Sequence, residues 1–152
     1  YIIFTTNYMK HTCSTIVFHC IDFRFTSAIK MLLEKEKLLG DADVVSIAGC
    51  VKNLVTPRQP SDAEFFIHQL QIAKTLHNTH RAIFINHIDC GAYGGRAAFN
   101  TAEEERNLHI EHLSVAEKMI IERFPDMHIR LILAHIDDEG TIHFEEVMKA
   151  IS

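Results

Sequence analysis

The sequence predicts an α/β fold: a mainly parallel β-sheet flanked by helices, with a short C-terminal edge strand and helix. Three observations carry that prediction. Short runs rich in β-branched and aromatic residues alternate along the chain with longer segments of helical period. Strands separated by helices need crossover connections, which set the strands parallel and the helices on the faces of the sheet. No internal repeat, low-complexity tract or linker divides the 152 residues, so one domain spanning 1–152 is expected.

Thr15-Ile16-Val17-Phe18-His19-Cys20 reads as a buried first strand. From Phe25 to Leu39 the period becomes helical, with Ile29, Leu32 and Leu33 on one face and Lys30, Glu34 and Lys37 off it. Thr26 or Ser27 is placed to cap this helix, and Gly40 follows its end, where a left-handed residue is favoured. Asp43 to Gly49 reads as the second strand, and Thr56 to Pro60, with its two prolines, as a loop. Ser61 or Asp62 opens a helix reaching about Asn78, with Phe66, Leu70, Ala73 and Leu76 as its apolar stripe.

Arg81 to His87 is the third strand, and Gly91 to Gly95 is the loop after it. A longer helix runs from about Thr101 to Phe124 and is stopped by Pro125; Glu103, Glu104 and Glu105 supply an acidic first turn. His128 to His135 is the fourth strand. Glu139-Gly140 then turns into an edge strand, Thr141 to Phe144, and a last helix closes the chain.

Composition removes several functions. Hydrophobic residues make up 47% of the chain and charged residues 23%, enough for a sizeable core. Net charge is −5 and Lys and Arg are scattered, so no basic stripe offers a nucleic-acid surface. No apolar run approaches the roughly 20 residues that span a bilayer, so no membrane partner is expected. Cys13, Cys20, Cys50 and Cys90 are too widely spread for a small disulfide scaffold, and a cytoplasmic chain with reduced thiols is expected.

Parallel α/β sheets place their sites beyond the carboxyl ends of the strands. Two clusters fall there: Cys20-Ile21-Asp22-Phe23-Arg24 after the first strand, and His87-Ile88-Asp89-Cys90-Gly91 after the third. Two thiolates and an imidazole, from Cys20, His87 and Cys90, suit Zn²⁺, and three protein ligands leave a fourth position for water. On an extended stretch Cys20, Asp22 and Arg24 would share one face. Arg24 can then hold the Asp22 carboxylate, which accepts a proton from the metal-activated water or binds the metal itself. Asp89 either orients His87 or a water, or is a solvated loop carboxylate. Gly91 permits close approach of backbone to metal or substrate.

Cys13 and Cys50 lack such partners and read as packing residues, with a redox or substrate contact left open for Cys50. His109 and His112 share a helix face, but nothing completes a second metal site around them, so exposed or half-buried side chains are expected. His19 should point away from the cluster. The glycines at 91, 94 and 95 do not match a phosphate-binding loop.

The Cys-x-Asp-x-Arg of Cys20, Asp22 and Arg24, followed by the His-x-x-Cys-Gly of His87, Cys90 and Gly91, resembles the beta-class carbonic anhydrases. The resemblance extends in order over most of the chain. It implies an α/β fold, a homodimer or higher homo-oligomer, and zinc-dependent reversible hydration of carbon dioxide to bicarbonate. It also implies Cys20, His87 and Cys90 as zinc ligands and an Asp22–Arg24 pair gating the fourth position. Ala48, Gly49 and Gly91 are the implied substrate-binding residues, Ala48-Gly49 matching part of a family motif that usually reads Arg-Asn-Ala-Gly. Here Ser46-Ile47 stand in place of the Arg-Asn, no Gln precedes Gln59, and Phe23 takes a position that is commonly small. These departures keep two alternatives open: a zinc hydrolase of carbonyl sulfide or carbon disulfide, and a non-catalytic zinc-binding homologue.

Overall fold

The computed structural model describes residues 2–3 and 11–148. Its strands are β1 (Thr15–His19), β2 (Ala42–Ser46), β3 (Arg81–His87), β4 (His128–Ile136) and β5 (Ile142–Glu146). They form one sheet in the order β2-β1-β3-β4-β5, parallel except for β5, which lies antiparallel to β4 at the edge. The helices are α1 (Thr26–Lys35), α2 (Lys52–Val55), α3 (Pro60–His77) and α4 (Ala102–Arg123). This is the predicted mainly parallel α/β architecture with its C-terminal edge strand. Of the closing helix, residues 149–152 lie outside the described residues.

Strand alternation divides the core between the two faces of the sheet. Ile16, Phe18, Ala82, Phe84, Leu131 and Leu133 point to one side, where they meet Leu54 of α2, Phe66 and Leu70 of α3, and Leu113 and Ile120 of α4. Val17, Ile83, Ile85, Ile132 and Ala134 point to the other and meet Ile29 and Leu33 of α1. At the centre of the first layer Phe18 stacks on Phe66 with ring centroids 4.0 Å apart, and Phe84 meets both edge-on at 5.7 and 5.5 Å. Such pairs fix the sheet-to-helix register that positions the strand ends.

Several boundaries differ from expectation, each for a local reason. α1 stops at Lys35 because Lys37 takes a left-handed conformation (φ 59°), with the N–H groups of Lys37 and Leu38 turning back to Glu34 and Leu33. This is a Schellman-type ending, and Leu38, which prolonged the apolar pattern, is its buried closing contact. Neither Thr26 nor Ser27 caps α1; Asp22 caps the 3-10 turn Phe23–Phe25 that leads into it. α3 starts at Pro60, with a capping box between Gln59 and Asp62, and Leu76 of the expected stripe is 65% exposed. The short helix α2 was not expected.

Candidate metal centre

The strand order reverses between β1 and β3, since the chain runs from β1 outward to β2 and then returns to place β3 on the other side of β1. At such a switch point the loops diverge and leave a crevice beyond the carboxyl ends of the strands. Cys20 follows β1 there, His87 ends β3, and Cys90 follows after two residues of loop. The structure brings their ligand atoms within 4.8 Å of one another, and all three side chains are buried.

The donors fit a tetrahedral metal on two counts. The two Sγ atoms are 3.8 Å apart, and sulfurs each about 2.3 Å from one tetrahedral centre stand about 3.8 Å apart. His87 Nδ1 lies 2.9 Å from the Ile88 carbonyl, so its N–H donates there. That leaves Nε2, buried and without a hydrogen-bond partner among the described residues, as the nitrogen for a metal. An orphaned buried nitrogen is costly, and a bound ion removes the cost. The Phe25 ring packs against the imidazole at 4.4 Å and holds its plane.

The Cys20 thiol is drawn below its usual range, chiefly by the hydrogen bond from Cys90, with the Gly49 N–H contributing. That N–H lies 3.4 Å from Cys20 Sγ. Gly49 adopts φ +78°, and a Cβ there would stand 2.8 Å from the Ala92 Cβ, so the close approach depends on glycine.

Asp22 and Arg24 meet as expected, but by a different route. The segment is not extended: Asp22 sits at the N-cap of the 3-10 turn, its Oδ1 accepting the Arg24 N–H at 3.0 Å. Arg24 Nε and Nη2 then hold the same carboxylate, with Nη2 2.7 Å from Oδ2. These bonds keep Asp22 below the usual carboxylate range, while its Oδ2 lies 3.9 Å from His87 Nε2. Asp89 does not bond His87, whose Nδ1 is taken by the Ile88 carbonyl, and its partly exposed carboxylate is anchored instead. It is left-handed (φ 58°), its Oδ2 accepts from Arg24 Nη1 at 2.8 Å, and its Oδ1 accepts the Arg96 N–H at 2.9 Å.

Beneath this loop lies a polar cluster that the sequence reading missed. Glu105 lies in the acidic first turn of α4 as expected, but it is fully buried, and its Oε1 accepts the Asp89 N–H at 2.6 Å. His109 is fully buried and His112 nearly so, where exposed or half-buried side chains were expected. Asn86 donates from Nδ2 toward His109 Nδ1 and the Tyr93 hydroxyl, each at 3.2 Å, and the hydroxyl lies 3.0 Å from His112 Nδ1. The i, i+4 spacing of Glu105 and His109 was visible, but nothing local says that this face meets β3.

An open cleft of about 720 Å³ lies over Cys20, with Ala48 and Gly91 in its wall. Gly91 faces open space, where an added Cβ would meet nothing within 4 Å. Cys50 is fully buried in the main core, as its packing reading expects. Cys13 is half-buried and outside the core clusters, against the expectation of core packing. Among the described residues no helix is long and apolar enough to cross a membrane.

Comparison with known proteins places this geometry in a family. The model of the family described as "Putative carbonic anhydrase" matches residues 9–147. The chain belongs to that family. An uncharacterized protein of Rickettsia bellii is 32% identical over 127 residues, 82% of this chain and 77% of the relative. An uncharacterized protein of Rickettsia conorii is 29% identical over 127 residues, 82% of this chain and 68% of the relative. Among solved structures, a beta-carbonic anhydrase isoform from Trichomonas vaginalis superposes with a TM-score of 0.61 at 13% identity. That superposition covers 93% of this chain and 87% of the other, and establishes likeness of fold.

Proposed function

We propose that this family member hydrates carbon dioxide reversibly to bicarbonate at a zinc ion held by Cys20, His87 and Cys90. The observation that carries the reading is the unpartnered His87 Nε2 between two cysteines, with an Arg24-bound Asp22 carboxylate 3.9 Å away. Zinc in a site with three protein ligands lowers the pKa of water in its fourth position toward about 7, which is the chemistry hydration needs.

The chain's residues supply the rest. Asp22, ionised by its bonds to Arg24, orients the attacking water and takes its proton at Oδ2. Arg24 occupies both oxygens of Asp22 and so keeps the carboxylate from taking the fourth position itself. Asp89 anchors Arg24 from the loop that carries Cys90. Gly49 fixes Cys20 through its N–H, and Ala48 and Gly91 leave room for a small substrate. Ile21 and Phe23, 61% and 84% exposed at the mouth of the cleft, form an apolar rim suited to an uncharged substrate and to a second copy of the chain. A cytoplasmic homodimer or higher homo-oligomer is part of the proposal.

The same apolar rim, with Ser46 where the resemblance implies an Arg, favours a second reading in which the substrate is carbonyl sulfide or carbon disulfide. Turnover of carbon dioxide and of both sulfur analogues by zinc-loaded protein separates the two. A kcat/KM for carbon dioxide above those for the analogues supports hydration. The reverse order assigns the site to sulfur chemistry.

A further inference from the structure

We infer that the chain carries a second zinc site, built from Cys13, Asp43 and His77 at the opposite end of the strands. The three residues come from separate parts of the fold: the segment entering β1, the edge strand β2, and the last residue of α3. Their ligand atoms nevertheless lie within 4.8 Å of one another. Backbone geometry holds them there. The Cys13 N–H donates to the His77 carbonyl at 3.0 Å, and Asn78 ends α3 in a left-handed conformation (φ 56°). Ile16, just beyond Cys13, pairs with Asp43 in the sheet.

The donor set selects the metal. A thiolate, an imidazole and a carboxylate form a zinc set, whereas magnesium and calcium require oxygen ligands. Ligand atoms around a tetrahedral zinc stand about 3.3–3.8 Å apart. The Asp43 Oδ2 to His77 Nδ1 distance is 2.7 Å, and no pair in the cluster exceeds 4.8 Å, so small side-chain rotations complete the site. Among the described residues, Cys13 Sγ is otherwise engaged by hydroxyl and carbonyl oxygens, 3.3 Å from Thr79 Oγ1 and 3.6 Å from the Thr15 carbonyl. Both contacts are weak enough for a metal to displace.

All three side chains are half-buried, so an ion reaches them from solvent and keeps a water in the fourth position. Cys13 precedes β1 and Cys20 follows it. At about 3.3 Å per strand residue the two centres stand roughly 20 Å apart and share no ligand. Bound metal would tie the edge strand to the start of β1 and the end of α3, stabilising the fold because only the folded chain assembles the ligands.

The test is a metal count. Zinc-free protein is titrated with Zn²⁺ against a chromophoric chelator, as the unaltered chain and as Cys13→Ala and His77→Ala. Each variant is expected to bind one equivalent fewer than the unaltered chain, whatever the occupancy of the first centre. In parallel, Co²⁺ added to Cys20→Ser/Cys90→Ser is expected to give one thiolate-to-cobalt absorption that disappears when Cys13→Ala is added. If that double variant does not fold, the zinc counts decide alone. Equal counts in the unaltered and Cys13→Ala chains overturn the site and leave Asp43 and His77 as a hydrogen-bonded pair.

Discussion

Asp89 holds Arg24 twice, its Oδ2 accepting from Nη1 at 2.8 Å and its backbone carbonyl from Nη2 at 2.9 Å. The same guanidinium holds Asp22, so one arginine ties the loop after β1 to the loop after β3. Removing the Asp89 carboxylate leaves Arg24 with only the backbone carbonyl on that side and loosens the guanidinium that positions Asp22. Asp89→Ala should therefore lower kcat/KM by about tenfold to a hundredfold, the usual cost of losing a partner one step behind a ligand shell, with zinc content retained. Rate and metal content measured on the same sample check this.

Asp22→Asn keeps the shape of the side chain but removes the proton acceptor and the charge that Arg24 pairs with. Turnover should fall about a hundredfold or more while zinc remains bound. Unchanged turnover would remove Asp22 from the mechanism.

Gly49→Ala places a methyl group 2.8 Å from the Ala92 Cβ on a backbone at φ +78°. Left-handed backbone alone costs a non-glycine residue about 1–2 kcal/mol. The shift needed to relieve the clash also draws the N–H away from Cys20. Both a lower Tm and a weaker zinc affinity are expected, measurable by thermal unfolding and by chelator competition.

Burial lowers the pKa of His109 from 6.5 to about 3. Above 6.5 the residue is neutral in folded and unfolded chains alike. As pH falls below 6.5 the unfolded chain gains a proton that the folded chain refuses until about 3, so stability is lost through that window. One such group contributes a slope of about 1.4 kcal/mol per pH unit. Denaturant unfolding of zinc-loaded protein between pH 7 and 5 should show a shallower slope for His109→Gln than for the unaltered chain. Equal slopes would exclude His109 as the group responsible.

The legible parts of this molecule were those written in local pattern. β3 was bounded correctly as Arg81–His87, because an apolar run there is flanked by a cap on one side and a loop on the other. The parallel architecture followed from alternation, and it sufficed to draw Cys20, His87 and Cys90 toward one end of the sheet. What escaped depends on contacts between distant segments. Whether Asp89 orients His87 or a water or is a solvated loop carboxylate stayed open because its partner, Arg24, is 65 positions away. The full burial of Glu105 and His109 escaped because the mean polarity of α4 hides which face meets β3. Cys13 seemed to lack partners because Asp43 and His77 reach it only through the sheet order and the end of α3. Asp22 and Arg24 were rightly paired from spacing, yet a helical cap rather than an extended strand brings them together.

The most direct test of the account is stopped-flow hydration of carbon dioxide by protein of known zinc content, with Cys90→Ser as the control. Fast hydration that scales with zinc content and is lost in the control is expected. Stoichiometric zinc with no hydration above the buffer rate would contradict it, leaving a metal centre whose chemistry is not the hydration of carbon dioxide.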